Sequence, residues 1–201
     1  DAHRRGRFEP ERHGLSDAAA AAWREHFALT LPEPLRSVAE PHRRPAAAAT
    51  VKGVLRCADG LEVETVRLGL GDERESQCLS SQVGCAMGCR FCETARIGLR
   101  RDLTPAEIVA QVVIGRAQFG WRPSRLVFQG MGEPLDAVDS ILDAIDVLGD
   151  RQGLGFAREH ITVCTAGHID GLKRLAARGV GRLNLSVSLN AADDRQRAEL
   201  M

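Results

Sequence analysis

A parallel α/β sheet with right-handed crossovers is the fold class predicted by three observations. Short β-branched and aliphatic runs alternate with helical stretches through the second half of the chain. The punctuation agrees, since capping residues open some of the helical stretches and glycine closes one of them. Finally, the loops rich in cysteine, glycine and carboxylate fall after strands, the end at which parallel α/β folds assemble their sites.

Residues 1–49 read as an N-terminal accessory segment with a linker, and 50–201 as the core. His3, Arg4, Arg5, Arg7, Arg12 and His13 make a basic, solvated start. Ser16 or Asp17 caps a helix running to about Ala28, with Trp23 and Phe27 on one face. Pro32, Pro34, Pro41 and Pro45, followed by Ala46 to Ala49, predict a linker rather than a packed element. Val51, Val54 and Leu55, a turn at Asp59-Gly60, then Leu61, Val63, Thr65 and Val66 predict a β-hairpin, with Glu64 in its second strand. The run Gly69-Leu70-Gly71-Asp72 turns the chain towards Cys78 to Val83.

Further on, Thr104-Pro105-Ala106-Glu107 is a capping box with proline at the first helical position. Ile108, Val109, Val112 and Val113 continue it at helical spacing. Leu126 to Phe128 is a buried-strand run, Asp139 to Leu148 a helix, and Ile161 to Cys164 a strand. Ile169 to Arg178 forms a helix closed by Gly179. Leu183, Leu185, Val187 and Leu189 make the last strand, and Asp193 opens a helix.

With 201 residues the chain is long enough for one well-buried core. Its charges balance to zero, so no global field announces a nucleic-acid partner. No apolar run reaches the roughly 18 residues of a membrane span; the chain reads as cytoplasmic, without a membrane partner. It begins without Met and ends within a helical stretch, so a piece of a longer protein is expected.

The loop around which the chain is organised is Cys85-Ala86-Met87-Gly88-Cys89-Arg90-Phe91-Cys92, three cysteines at spacing C-x3-C-x2-C. Thiolates this close, with no fourth in register, suit a cluster that offers three irons to the protein and keeps one free. Zinc is the competing reading, but structural zinc takes four closed ligands. Downstream, Gly130-Met131-Gly132-Glu133-Pro134 reads either as an ordinary glycine turn or as a loop whose backbone approaches a cofactor.

The cysteine spacing, with an aromatic before the last thiol, resembles the cluster loop of radical S-adenosylmethionine (SAM) enzymes. Together with Cys78-Leu79-Ser80-Ser81-Gln82-Val83-Gly84-Cys85 and Gly130 to Pro134, it resembles the radical SAM adenosine methylases of ribosomal RNA. The resemblance covers roughly residues 61–201. It implies a partial (βα)6 barrel, of which about four βα units are present, and an N-terminal helical and hairpin segment of RNA-contacting type. It also implies a 4Fe-4S cluster on Cys85, Cys89 and Cys92, and SAM as the second cofactor.

The same resemblance implies roles residue by residue. Gly132 and Glu133 contact SAM, the carboxylate accepting from the methionyl ammonium. Cys164 stands where the family has a serine towards SAM, and a buried apolar thiol is the equal alternative. Ser188-Leu189-Asn190 matches a Ser-Leu-His stretch, with Asn190 replacing the histidine. Phe91 is either core or a wall for the adenine. Cys78 matches the thiol that releases the methylated product, and Glu64 the carboxylate that accepts its proton. The cysteine that carries the methyl group belongs beyond Met201.

The expected activity is methylation of an adenosine ring carbon of large-subunit ribosomal RNA, carbon 2 favoured over carbon 8, with transfer RNA left open. A low-potential donor such as flavodoxin or ferredoxin is implied. Two other readings stand beside it: a radical SAM enzyme with a different substrate, and a metal-stapled RNA-binding module without catalysis.

Overall fold

The computed structural model describes residues 6–7, 9–27, 29–40, 49–70, 74–179 and 181–201. The basic residues at 3–5, the far end of the first helix at Ala28, Pro41, Pro45, Ala46 to Ala48 and the turn residues Gly71 and Asp72 lie outside the described residues.

Helix α1 (Asp17–His26) starts where expected, because the Ser16 side chain accepts from the Ala19 amide. Trp23 and Phe27 stack at its end, with ring centroids 4.7 Å apart. The expected linker is corrected next. Glu33–Glu40 is a full strand, β1, antiparallel to β2 (Thr50–Arg56). Pro34 is tolerated because β1 is the edge of the sheet and its register shifts between Pro34 and Arg36.

The predicted hairpin pairs β2 with β3 (Glu62–Gly69). Its turn holds because Gly60 adopts φ +84° and the Asp59 carboxylate accepts from the Leu61 amide. Strand β3 then pairs antiparallel with β4 (Glu75–Leu79). From β4 the sheet runs parallel through β7 (Arg125–Phe128), β8 (Ile161–Thr165) and β9 (Asn184–Val187). Two short strands, β5 (Gln82–Val83) and β6 (Arg101–Asp102), form a separate ribbon.

The helices complete four βα units: α3 (Pro105–Ala117) after β4, α4 (Val138–Gly149), α5 (Ile169–Ala177) and α6 (Asp194–Leu200). A further short helix, α2 (Glu93–Ile97), begins directly after Cys92. The capping box of α3 forms in full, Thr104 and Glu107 each accepting from the other's amide. The expected count of about four βα units of a partial barrel is therefore met, with antiparallel β1–β3 joined to its edge.

The parallel strands follow one another in chain order, so right-handed crossovers put the successive helices on one side. That side is the core. Leu79, Phe128 and Val163 lie in register on it, fully buried against Ile108, Val112, Ile141 and Ile145. Each such side chain contributes about 1.5–3 kcal/mol by leaving water. The opposite face carries Glu64, Cys78, Val127, Thr162, Cys164 and Ser186, by strand alternation and the same register.

Candidate active site

The site forms where β4, β7, β8 and β9 end. The residues after β4 anchor it through backbone and buried polar groups. The Ser80 hydroxyl donates to the Glu64 carbonyl at 2.6 Å and accepts from the Met131 amide at 2.9 Å. The side chain of Gln111 on α3 pairs with both the amide and the carbonyl of Ser80, at 2.9 Å each. Ser81 and Gln82 amides both donate to the Met131 carbonyl. The strand end, the third helix and the Gly130 loop are thus one hydrogen-bonded unit.

From this unit the cysteine loop departs through Gly84, at φ +78°, where a Cβ would fall 1.7 Å from the Gly98 carbonyl oxygen. Only glycine lets the loop close on itself there. Cys85, Cys89 and Cys92 are half-buried and free of disulfides, and all three line one cleft of about 230 Å³. Burial pushes the Cys85 and Cys89 thiols up from their ordinary range, and charge on Cys92 adds to both. Arg197 works the other way on Cys89.

Across the cleft, Glu133 is 4% exposed. Its carboxylate accepts from the Ala166 amide at 2.7 Å and the Leu135 amide at 3.0 Å. Two amides leave free lone pairs on both oxygens, so the group is ready to take a further donor. Gly132, at φ +97°, lines the cleft, and a Cβ there would lie 2.6 Å from the Gln82 Cβ. The loop's glycines answer packing on the strand end.

Ser188 and Asn190 line the cleft from the far side, and Cys164 from β8. Cys164 is buried; burial raises its thiol, offset by a hydrogen bond with Ser186. Asn190 takes φ +61°, a left-handed conformation that asparagine tolerates. Phe91 is 60% exposed and lines the cleft, so it is not a core residue.

Three predicted site residues stand apart from the lining. Leu189 projects outward, 68% exposed, and only its carbonyl takes part, accepting from Arg197. Cys78 is buried and outside the cleft lining, and the backbone of Gln129, which does line the cleft, acts to lower its thiol's value. Burial pushes its thiol up to about 11. Glu64 shares the sheet face of Cys78 and pairs with Lys52 at 3.1 Å.

Two residues escaped the sequence reading. Arg197 on α6 donates to the carbonyls of Ser188, Leu189 and Ala166, tying the loops after β8 and β9 together. Gln82 links the cysteine strand to the Glu133 amide at 2.9 Å. The cue for Gln82 was its place beside the cysteines; for Arg197 there was none short of the fold.

The donor set fits a cluster. Among the described residues no three His, Cys, Asp or Glu side chains converge as a single-ion site. Three thiols spread round one cleft suit ligands to separate irons, and the buried carboxylate opposite suits an ammonium.

A sheet that gives one face to its helices and ends the other in a thiol-lined cleft is the arrangement of radical SAM proteins. The chain belongs to that class: residues 79–200 match the Radical SAM superfamily, whose cofactors are a 4Fe-4S cluster and SAM. Its relatives narrow the likeness to RNA methyltransferases. It is 44% identical over 191 residues to "Probable RNA methyltransferase sce1580" of Sorangium cellulosum, covering 93% of this chain and 47% of that protein. It is 46% identical over 175 residues to "Probable dual-specificity RNA methyltransferase RlmN" of Synechococcus sp., covering 85% of this chain and 50% of that one. Among solved structures, a radical SAM methyltransferase from Sphaerobacter thermophilus superposes with TM-score 0.80 at 36% identity, covering 93% of this chain and 54% of that one. The chain spans about half the length of the curated relatives it matches.

Proposed function

We propose that the chain forms the cluster- and SAM-binding part of a methyltransferase acting on an adenosine ring carbon of large-subunit ribosomal RNA, carbon 2 in preference to carbon 8, with transfer RNA a further substrate. The observation that carries this reading is the cleft itself, where three free thiols face the buried Glu133 carboxylate. The names of the relatives, RNA methyltransferases of dual specificity among them, support the substrate. Held on Cys85, Cys89 and Cys92, a 4Fe-4S cluster would supply the one-electron reduction that SAM cleavage requires.

The chain's own residues then divide the work. Cys85, Cys89 and Cys92 hold the cluster, and Glu133 takes the methionyl ammonium. Gly132, at the cleft wall, lets the backbone approach SAM closely. Ser188 and Asn190 offer donors and acceptors from the far side, and Cys164 a weak acceptor between them. Leu189 contributes its carbonyl, held by Arg197. Phe91 presents an exposed ring as a wall for the adenine.

Cys78 stays a neutral thiol at working pH, because burial raises it to about 11. The backbone of Gln129 works against that burial and so favours the thiolate with which Cys78 attacks the methyl-carrying cysteine's sulfur, forming a disulfide as the product leaves. Glu64, on the same sheet face, accepts a proton after leaving Lys52. Residues 1–49 serve as the accessory segment and 50–201 as the core. A low-potential carrier such as flavodoxin or ferredoxin docks beside the cysteine loop, where Arg90, Arg96 and Arg100 stand exposed round Ile97 and Leu99. We place the protein in the cytoplasm, with its RNA. Among the described residues no helix is long and apolar enough to cross a membrane.

Deleting the gene and measuring methylated adenosines of ribosomal RNA by mass spectrometry tests this directly. Loss of 2-methyladenosine, restored by the full-length gene, is expected. A change confined to 8-methyladenosine moves the target carbon, and unchanged RNA contradicts the substrate.

A further inference from the structure

We infer that Gln82 and Asp102 form a positioning relay that holds the Glu133 loop at a fixed distance from the cysteine loop, and so sets SAM affinity without touching SAM or the cluster. The inference rests on the reading of Glu133 as the ammonium acceptor.

The geometry is specific at both ends of one side chain. Gln82 is fully buried. Its Oε1 accepts from the Glu133 amide at 2.9 Å, and its Nε2 donates to Asp102 Oδ1 at 2.7 Å. Only one orientation of the amide serves both partners, since a backbone N–H needs the oxygen and a carboxylate needs the nitrogen. Gln82 and Asp102 are also direct cross-strand partners in the β5–β6 ribbon.

That ribbon is itself fixed. Arg101, beside Asp102, makes a two-pronged contact with Glu107 at 2.8 Å on each prong and a third with Asp59 at 2.6 Å. The relay therefore runs from a braced ribbon, through Asp102 and Gln82, to the amide of Glu133. Gln82 stands three residues before Cys85, so the strand that starts the cysteine loop also places the carboxylate across the cleft. Gly132 lets the two come together: a Cβ there would lie 2.6 Å from the Gln82 Cβ. An apolar residue at position 82 would leave a buried amide without an acceptor, and the loop would move to find one.

The test uses protein reconstituted with its cluster, with SAM binding followed by calorimetry and iron content and melting temperature measured on each variant. Gln82→Glu sets a carboxylate against Asp102 and is expected to weaken SAM binding about tenfold with iron content unchanged. The double substitution Gln82→Glu with Asp102→Asn restores one donor and one acceptor with their roles exchanged, and should return affinity to within about threefold of the parent. A residue needed only for folding would lose cluster and melting temperature together instead.

Should Gln82→Glu fail to fold, Asp102→Ala at the ribbon's solvent side removes the same brace and should weaken SAM about threefold. Parental affinity in the single variants, alongside weakened binding in Glu133→Gln, overturns the relay and leaves the Glu133 reading intact. A double variant as weak as Gln82→Glu alone overturns it too. Parental SAM affinity in Glu133→Gln removes the Glu133 reading and the relay with it.

Discussion

The two faces of the parallel sheet differ by a single step along each strand. Leu79, Phe128 and Val163 point into the helices and are fully buried. Their neighbours Cys78, Val127 and Thr162, one residue earlier, point to the other side, as do Cys164 and Ser186. The first set carries no polar atom; the second carries thiols and hydroxyls. Stability and chemistry are therefore drawn from the same strands by alternation alone, and a change on one face should leave the other's property nearly untouched.

The largest effect that tests this contrast is on the helix side. Phe128→Ala should cost about 3–5 kcal/mol of folding stability, measured by denaturant unfolding. Val127→Ala, one residue back, should cost no more than about 1 kcal/mol. Equal losses at the two positions would mean that the faces are not separate in function.

Next comes the cleft. Glu133→Gln should weaken SAM binding by about 1.5–3 kcal/mol, with the iron content of the reconstituted protein unchanged. Loss of iron along with SAM would make Glu133 a structural residue. The smallest effect is expected at the exposed pair of Lys52 and Glu64, 3.1 Å apart on the polar face. Lys52→Ala should shift stability by less than about 1 kcal/mol. Any change it makes in RNA methylation by the full-length enzyme then reports on Glu64 as a proton acceptor.

A comparison with the sequence reading separates what local pattern encodes from what only packing decides. The alternation was legible from the aliphatic runs of β7, β8 and β9 and from the caps of α3 and α6 at Thr104 and Asp193, whereas β4 is largely polar and α4 opens on Ala137 without a side-chain cap. The cysteine loop was legible because its chemistry is written in spacing. Strand β1 was not: its prolines signal a linker, and only pairing with β2 at the sheet edge reverses that. Strands β5 and β6, two residues each, are too short for any periodic signal. Leu189 could not be placed from sequence either, because the left-handed Asn190 that follows decides how the chain leaves the strand. The arginine that gathers the loops after β8 and β9 acts across 31 residues, a distance over which sequence pattern is silent.

The role proposed for Cys85, Cys89 and Cys92 is to hold a cluster on three thiols with one iron left open for SAM. Anaerobic reconstitution with iron and sulfide, followed by metal and sulfide analysis, tests it most directly. About four irons and four sulfides per chain are predicted, falling sharply when Cys85, Cys89 or Cys92 is replaced by serine. Stoichiometric zinc without iron, in protein from iron-replete cells, would contradict it.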